Sequence, residues 1–370
     1  MHYDVAVVGA GPAGSAAALA ALRARPDARV LLLDRSDFPR DKPCGDGIAP
    51  QVVDALEVLS AGDPTVGFAP VEHLHLTGPH GSSVRRRLSR PTKVVPRAVF
   101  DSRLVQSATD RGAQFVRHTV RDVAVGRDEV VIDGRFAAHA VVAADGANGT
   151  LRRQLGVPPT PSKAVAIALR AYVMTNETDQ RIVMAERGWP AYAWLFPIGD
   201  GRANVGYGMS IGEGVSRAAL EDGLRRLLPQ VGTLHDRRAH RLPLSIGRPR
   251  QPDGRVVLAG DAASLINPFT GEGIYYAVVS GAIAGTAALA GPDAGHRARV
   301  AIRRTLGRHL RHTALTYRLG TSPAMVDAAI RAADGDQGVF DTLVDLGLAD
   351  GRLSARALLS TIRQLGGSTA

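Results

Sequence analysis

The chain begins with an unbroken apolar run, Val5-Ala6-Val7-Val8, then a cluster of glycines, then an Ala- and Leu-rich stretch to about Arg25. A short apolar run without polar alternation reads as a strand buried on both faces, and the longer stretch after it as a helix. Ala28 to Asp34 is a second apolar run, so the opening of the chain predicts a βαβ unit. Asp37 to Pro50 is dense in Pro, Gly and charge and predicts a loop with special backbone demands. Gln51 to Leu59 has helical spacing.

The period then changes. From about 70 to 97 and from 160 to 245, short alternating runs such as Glu72–Leu76, Ala164–Val173 and Ala203–Met209 are punctuated by Gly and Pro. They predict a mostly antiparallel sheet, interrupted by helices at Arg97–Arg111 and Ser216–Leu228. From Arg255 an apolar strand, a Gly-rich turn and a small-residue helix, Gly273–Leu289, return, and the remainder reads as helical. The expected architecture is α/β. A Rossmann-like dinucleotide-binding domain is assembled from residues 1–70, 97–158 and 246–300. An inserted antiparallel-sheet domain for substrate takes 71–96 and 159–245, and a helical C-terminal region takes 301–370.

Composition narrows the setting. Cys44 is the only cysteine, which excludes an intrachain disulfide, a Cys-based iron–sulfur cluster and a zinc ribbon. A reducing, cytoplasmic location is expected, and electrons must arrive through a bound organic cofactor. No charged segment followed by an apolar core precedes the first strand, so no signal peptide is expected, and no apolar run is long enough to span a bilayer. The formal net charge is +10, with Lys only at Lys42, Lys93 and Lys163. Such a charge attracts phosphates of a substrate or of anionic lipid; the plainer reading is heavy use of Arg throughout. Aromatic residues are only 5% and no recognition module is visible, so nucleic-acid binding is not expected.

Gly9-Ala10-Gly11-Pro12-Ala13-Gly14 is a G-x-G-x-x-G between a strand and a helix. Gly9 permits the tight turn, Gly11 lets the backbone approach a pyrophosphate, and Gly14 lets helix and strand pack closely. The diphosphate would sit on the free N–H groups of the helix start. Asp34 closes the second strand at the spacing where a carboxylate receives a ribose hydroxyl, favouring FAD or NAD over NADP. Ala13 in the turn and Arg35 after the acid belong to the same candidate set.

Val257-Leu258-Ala259-Gly260-Asp261-Ala262-Ala263, with Pro268 and Gly271-Glu272-Gly273-Ile274 after it, resembles the G-D motif of FAD-dependent hydroxylases and their relatives. The resemblance implies a Rossmann-like FAD-binding domain of the glutathione-reductase/aromatic-hydroxylase type. Within it, Gly260 and Asp261 would bind the ribityl chain, and the helix near Gly273 and Ile274 would face the flavin N1–C2=O edge and stabilise its reduced form. Ala143-Ala144-Asp145-Gly146-Ala147-Asn148-Gly149 resembles the companion D-G motif, with Gly149 where the family usually has Ser. Arg97, ahead of a helix, resembles the Arg that contacts FAD in the same superfamily. No second G-x-G-x-x-G is present, so NADPH, NADH or another external reductant would dock transiently as electron donor.

Two further segments point to one branch. Pro43-Cys44-Gly45-Asp46-Gly47-Ile48, with its lead-in Asp37-Phe38-Pro39-Arg40-Asp41-Lys42, resembles the P-x-x-K-x-C-G-x-G-I loop of the geranylgeranyl reductase family. The resemblance puts this loop near the isoalloxazine, where Gly45 permits close approach and Cys44 contacts the flavin or helps to deliver a proton; the plain reading of Cys44 is a small buried hydrophobe. Tyr192-Ala193-Trp194-Leu195-Phe196-Pro197 is similar to the Y-x-W-x-F-P motif of the same family. On a strand its three aromatics share one face, either lining a channel for a long isoprenoid or forming an ordinary packed face. Flavin halogenases carry Trp at the first aromatic position and Ile before the Pro, so Tyr192 and Phe196 argue against halogenation.

The family resemblance implies saturation of isolated C=C bonds in a hydrophobic isoprenoid chain, by hydride transfer from flavin N5 with protonation of the other carbon. Cys44, Tyr192 and Trp194 are the candidate catalytic residues. The alternative is an FAD-dependent monooxygenase, hydroxylating an aromatic ring or epoxidising a prenylated product; a third reading is a non-catalytic flavin protein. Ile302, Leu306 and Leu310 recur at helical spacing among Arg299, Arg303, Arg304, Arg308 and Arg311. This stripe either rests peripherally on an anionic membrane, binds a diphosphate, or packs on the core as a surface helix. His309 and His312 lack a Cys or carboxylate partner, so no metal site is expected; His73 and His75 share a strand face to no evident purpose.

Overall fold

The computed structural model describes residues 2–210 and 215–366. In chain order its strands are β1 (His2–Val8), β2 (Val30–Asp34), β3 (Gly47–Ile48), β4 (Pro70–Thr77), β5 (Ser83–Val94), β6 (Gln114–Arg117), β7 (Val123–Val125), β8 (Val130–Ile132), β9 (Phe136–Ala143), β10 (Val165–Met174), β11 (Gln180–Met184), β12 (Ala191–Pro197), β13 (Arg202–Ser210), β14 (His235–Pro243) and β15 (Val256–Leu258). The helices are α1 (Pro12–Ala24), α2 (Pro50–Val58), α3 (Arg97–Asp110), α4 (Leu151–Gln154), α5 (Arg217–Leu227), α6 (Ile274–Ala288), α7 (Ala294–Thr305), α8 (Gly307–Leu319), α9 (Pro323–Gly335), α10 (Gln337–Leu348) and α11 (Ala355–Gly366).

The apolar runs that lack alternation become the inner strands of one sheet, ordered β6-β2-β1-β9-β8-β7, with β15 also paired to β9. β1 runs parallel to β2 and β9, and β15 parallel to β9. Val5, Leu31, Val141 and Val257 are fully buried, as expected for parallel strands covered on both faces. One cover is the pair α1 and α6. A Cβ on Gly281 or Gly285 would lie 2.1 or 1.9 Å from the carbonyl oxygens of Ala13 and Ala17, so the two helices cross at backbone contact. That contact brings both helix starts to the same end of the sheet.

The alternating segments form a second sheet, β14-β10-β13-β12-β11-β4-β5-β3. It is antiparallel except between β11 and β4. One face of β10, β12 and β13 packs on α5 through Leu169, Leu195, Val205 and Leu224. The β4–β5 hairpin packs on the C-terminal helices through Leu74, Val84, Ile330 and Phe340. The loop after β2 joins the two sheets, because Gly47 and Ile48 pair with Val94 and Lys93 of β5.

Two features differ from the sequence reading or are missing from it. Strands β6, β7 and β8 are short, mixed runs with no clear period. The stripe Ile302–Leu310 belongs to two helices, broken at Leu306 and Gly307. Leu306 and Leu310 are buried in the main core, so these two residues of the stripe pack inward. Among the described residues, no helix is long and apolar enough to cross a membrane, and no group of three or more His, Cys, Asp or Glu is placed to hold a metal ion.

Candidate active site

The glycine turn between β1 and α1 is built by exclusion. Gly9 sits at φ +99°, and a Cβ there would lie 2.2 Å from the Ala144 carbonyl oxygen. A Cβ on Gly14 would fall 1.7 Å from the Gly9 carbonyl oxygen. Gly11 differs, since its Cβ would meet only the guanidinium ends of Arg40 and Arg97, at 3.4 and 4.0 Å. No side chain caps α1, so its first N–H groups open onto a cradle with two cationic groups above it. Such a cradle suits a diphosphate. Asp34 accepts the Ala10 and Ser36 N–H groups, each at 2.9 Å, and a carboxylate has further lone pairs for a ribose hydroxyl. Arg35 is exposed just beyond it. Ala13 is buried, and a Cβ on Gly260 would press against it at 3.0 Å.

At the end of β9, Asp145 Oδ2 accepts the Leu151 N–H at 3.1 Å, while its Oδ1 is buried without a partner. Burial raises the pKa of this carboxyl. A Cβ on Gly149 would lie 2.1 Å from the Asp145 side chain. The departure from the usual Ser therefore has a steric reason: the Asp145 carboxylate occupies the space that a serine would need.

A central cavity lies where the two sheets meet, bounded by Pro12, the loop from Lys42 to Ala49, Arg97, the strand β12 aromatics, His240, Asp261 and the turn Thr270–Ile274. Several of its charges are paired. Arg97 makes a two-pronged contact to buried Asp101, at 2.6 and 2.7 Å, and Arg40 joins Asp101 at 3.1 Å. Lys42 bridges to Asp261 at 3.0 Å, with His240 at 4.0 Å. Burial disfavours the Asp261 anion, but Lys42 and His240 outweigh it and hold the carboxyl well below the usual range.

Glu272 occupies the start of α6 and accepts the Tyr275 N–H at 2.9 Å. Burial pushes its pKa up to about 7, against the pull of backbone N–H groups and Arg97 and helped by Asp261. A carboxyl raised in this way is more protonated in the folded than in the unfolded chain, so folding stability falls as pH rises from 4.5 to about 7. Glu272→Gln should remove that loss. In thermal melts, the variant's advantage over wild type should be a few degrees larger at about pH 8 than at about pH 5; an equal shift at both would exclude the assignment.

Tyr192, Trp194 and Phe196 all line the cavity, while the intervening Ala193 and Leu195 pack in the core behind them. Trp194 Nε1 donates to Asn204 at 2.9 Å, and a Cβ on Gly206 would collide with the Trp194 ring at 2.1 Å, so the indole lies flat on β13. The Tyr192 hydroxyl donates to the Thr270 carbonyl. Tyr192 also borders two further spaces. One is a pocket beside Pro268 and Phe269. The other is an apolar cavity between β4, β11 and the C-terminal helices, lined by Leu76, Met184, Ala329, Leu343 and Leu353 among others.

Of the residues singled out by sequence, Cys44, Gly45, Arg97, Tyr192, Trp194, Asp261, Gly271, Gly273 and Ile274 converge on the central cavity. The turn Gly9–Gly14 and Gly260 adjoin it through Pro12 and α6, whereas Asp34, Arg35, Asp145 and Pro268 stand apart from it. Glu272, Arg40, Asp46, Tyr172, Asn204 and His240 were not assigned a role. Arg40, Asp46 and Glu272 lie within the motifs named above, whereas Tyr172, Asn204 and His240 reach the site only through sheet pairing. His309 is structural: it contacts Tyr276 and the Gly351 carbonyl in the core, at 2.5 and 2.6 Å.

The chain matches the FAD binding domain family over residues 2–201. It is 33% identical over 317 residues to the menaquinone reductase of Mycolicibacterium smegmatis, covering 76% of this chain and 75% of that one. To digeranylgeranylglycerophospholipid reductase 1 of Methanopyrus kandleri it is 32% identical over 311 residues, covering 78% and 81%. The fold superposes on a geranylgeranyl bacteriochlorophyll reductase-like protein of Thermoplasma acidophilum with a TM-score of 0.81, at 21% identity over 99% of each chain. The open cradle at Gly11, flanked by Arg40 and Arg97, fits the diphosphate of FAD. On these grounds the chain belongs to the geranylgeranyl reductase family of FAD-dependent oxidoreductases.

Proposed function

We propose that the enzyme saturates isolated C=C bonds of an isoprenoid chain, carried on a lipid, a quinone or a diphosphate. The observation that carries this reading is the position of Tyr192. It stands between the cavity of the Cys44 loop and an apolar cavity walled by Leu, Met and Val side chains of the second sheet and α8 to α11. A long unsaturated hydrocarbon can lie in the apolar cavity and present one double bond beside Cys44 and Trp194. The names of the curated relatives, a menaquinone reductase and a digeranylgeranylglycerophospholipid reductase, agree with such a substrate.

In this reading residues 1–70, 97–158 and 246–300 hold FAD, and 71–96 and 159–245 hold the substrate. Gly9, Gly11, Ala13 and Gly14 form the diphosphate turn, with Arg97 over it. Asp34 and Arg35 serve the adenosine end, and Asp145, Gly260, Asp261, Pro268, Gly271, Gly273 and Ile274 the ribityl and flavin end. FAD bound there would, once reduced, supply the hydride. Trp194 and Phe196 hold the alkene flat, and the apolar walls exclude water, which an unactivated alkene requires for near-attack geometry. Cys44 is the proton donor we favour, because the Tyr192 hydroxyl proton is already engaged by the Thr270 carbonyl. NADPH, NADH or another external reductant would dock transiently to reduce the flavin. Helices α7 and α8 carry arginines and no Asp or Glu, and Leu315 of α8 is exposed, which supports a peripheral contact with an anionic membrane.

The test is anaerobic. The flavin is reduced chemically, geranylgeranyl diphosphate is added, and the return of oxidised-flavin absorbance is followed together with the mass of the lipid. Reoxidation with hydrogenated product is expected. A flavin that stays reduced with this and other prenyl acceptors, then reoxidises only when air enters and yields an oxygenated product, would replace the reductase by a monooxygenase.

A further inference from the structure

Directly beneath the Cys44 loop lies a carboxylate for which the reaction above has no use. Asp46 is fully buried and sits at φ +60°. Its Oδ2 accepts the Tyr172 hydroxyl at 2.6 Å and the Asn204 amide at 2.8 Å. Its Oδ1, equally buried, has no partner. The same Asn204 amide donates to the Cys44 carbonyl at 2.8 Å, and Trp194 fixes the other end of Asn204. One carboxylate, one amide and one indole therefore lock the loop that carries the sole cysteine.

The electrostatics at Cys44 are contested. Burial pushes the thiol pKa up, the Arg97 guanidinium beside the sulfur pulls it down, and the Asp46 charge pushes it up again, with Glu272 adding in the same sense. Arg97 is itself tied to Asp101, and Tyr192 and Glu272 face the thiol from β12 and the start of α6. Around Asp46 stand Tyr172 and Arg170 from β10 and Arg97 from α3. Burial raises the Asp46 carboxyl to about 6, while Tyr172, Asn204, Arg170 and Arg97 oppose the shift. Asp46 is thus an anion at every pH where a thiol would ionise.

We propose that Asp46 is a positioning residue that keeps the proton on Cys44, so that the cavity holds a thiol acid and not a thiolate. This rests on the reading of Cys44 as proton donor. Arg97 pulls toward the thiolate, which has no proton to give; burial opposes it, and the Asp46 charge adds to burial. With that charge in place, the S–H bond can break as a C–H bond forms on the alkene carbon; the bonding electron pair stays on sulfur, and the Arg97 guanidinium receives the anion until solvent returns a proton. The same carboxylate makes the thiolate short-lived and protects the cysteine from alkylation and oxidation.

Because Cys44 is the only cysteine, its ionisation can be read without interference, in the FAD-loaded enzyme and with no substrate present. The rate of alkylation by iodoacetamide is measured against pH for wild type, Asp46→Asn and Tyr172→Phe. Wild type should show an inflexion above the ordinary thiol value of about 8.5. Asn tolerates positive φ and can accept the same two hydrogen bonds, so Asp46→Asn removes the charge and little else. It should react at least about tenfold faster near neutral pH, the effect of one pKa unit. Tyr172→Phe loosens the same loop and leaves the charge, so it should stay within about twofold of wild type. Equal acceleration in both variants would mean that accessibility governs the rate, and the proposal falls. It falls also if wild type itself titrates below the ordinary thiol value, a result that needs no variant. Failure of the prenyl-reduction assay would leave the alkylation profile unchanged, so the two readings fail separately.

Discussion

Gly11→Ala should give a folded, colourless protein, and Gly14→Ala a protein that is both colourless and unstable. The two glycines sit in one turn but do different work. The Gly11 Cβ would meet only the mobile ends of Arg40 and Arg97, at 3.4 and 4.0 Å, so without ligand a methyl there is tolerated. It would stand, however, in the cradle where a diphosphate must approach the backbone. FAD affinity should fall by about a hundredfold or more, roughly 3 kcal/mol, with little change in the melting temperature of flavin-free protein. The Gly14 Cβ would lie 1.7 Å from a backbone oxygen and 3.2 Å from Val7 Cγ1. Neither obstacle can turn aside, so α1 must lift off β1, and α6, which touches α1 at Ala13 and Ala17, must follow. A cost of about 3 kcal/mol is expected from overpacking, read as a lower melting temperature of flavin-free protein. If Gly11→Ala retained FAD at wild-type strength, the diphosphate would not lie over this turn.

That contrast also shows where the sequence was informative. The turn, Asp34 and the small-residue helix Ile274–Ala288 were legible because each must satisfy a local steric or electrostatic demand written into consecutive residues. The aromatic face of β12 was legible because strand periodicity alone puts Tyr192, Trp194 and Phe196 together. What stayed hidden comes from pairing across distance. Asn204 reaches Cys44 because β13 lies beside β12, and Tyr172 reaches Asp46 because β10 lies beside β13. His240 approaches Asp261 from an edge strand whose exposed arginines mark it only as surface. Each is an isolated polar residue on an otherwise ordinary strand, with no motif around it. Glu272 stood inside a recognised motif but was passed over, since helix starts are expected to offer N–H groups to a ligand and here a side chain already takes one. The break between α7 and α8 at Leu306 was hidden because the apolar spacing continues smoothly through it.

The apolar cavity behind Tyr192 offers the sharpest test of substrate class. Ala329 of α9 lines it together with sheet residues Leu76 and Met184, and its methyl group is small enough to be replaced by a bulkier side chain that projects into the cavity. Ala329→Trp should occupy the space meant for the distal part of an isoprenoid while leaving Cys44, Trp194 and the FAD cradle untouched. Burial is worth about 0.8 kcal/mol per CH2, so one excluded isoprene unit forfeits up to about 4 kcal/mol, close to a thousandfold in affinity. The expected outcome is selective. Activity on a geranylgeranyl substrate should collapse through KM, activity on a geranyl substrate should persist within about tenfold, and bound FAD should keep its absorbance and affinity. A uniform loss on both substrates would mean that α9 had been displaced, which a melting curve would reveal. Unchanged activity on the long substrate, in a folded variant, would move the hydrocarbon elsewhere: the pocket beside Pro268 and Phe269 is then the remaining space that Tyr192 borders, and the chain would have to leave the central cavity along β14 instead of beneath the C-terminal helices.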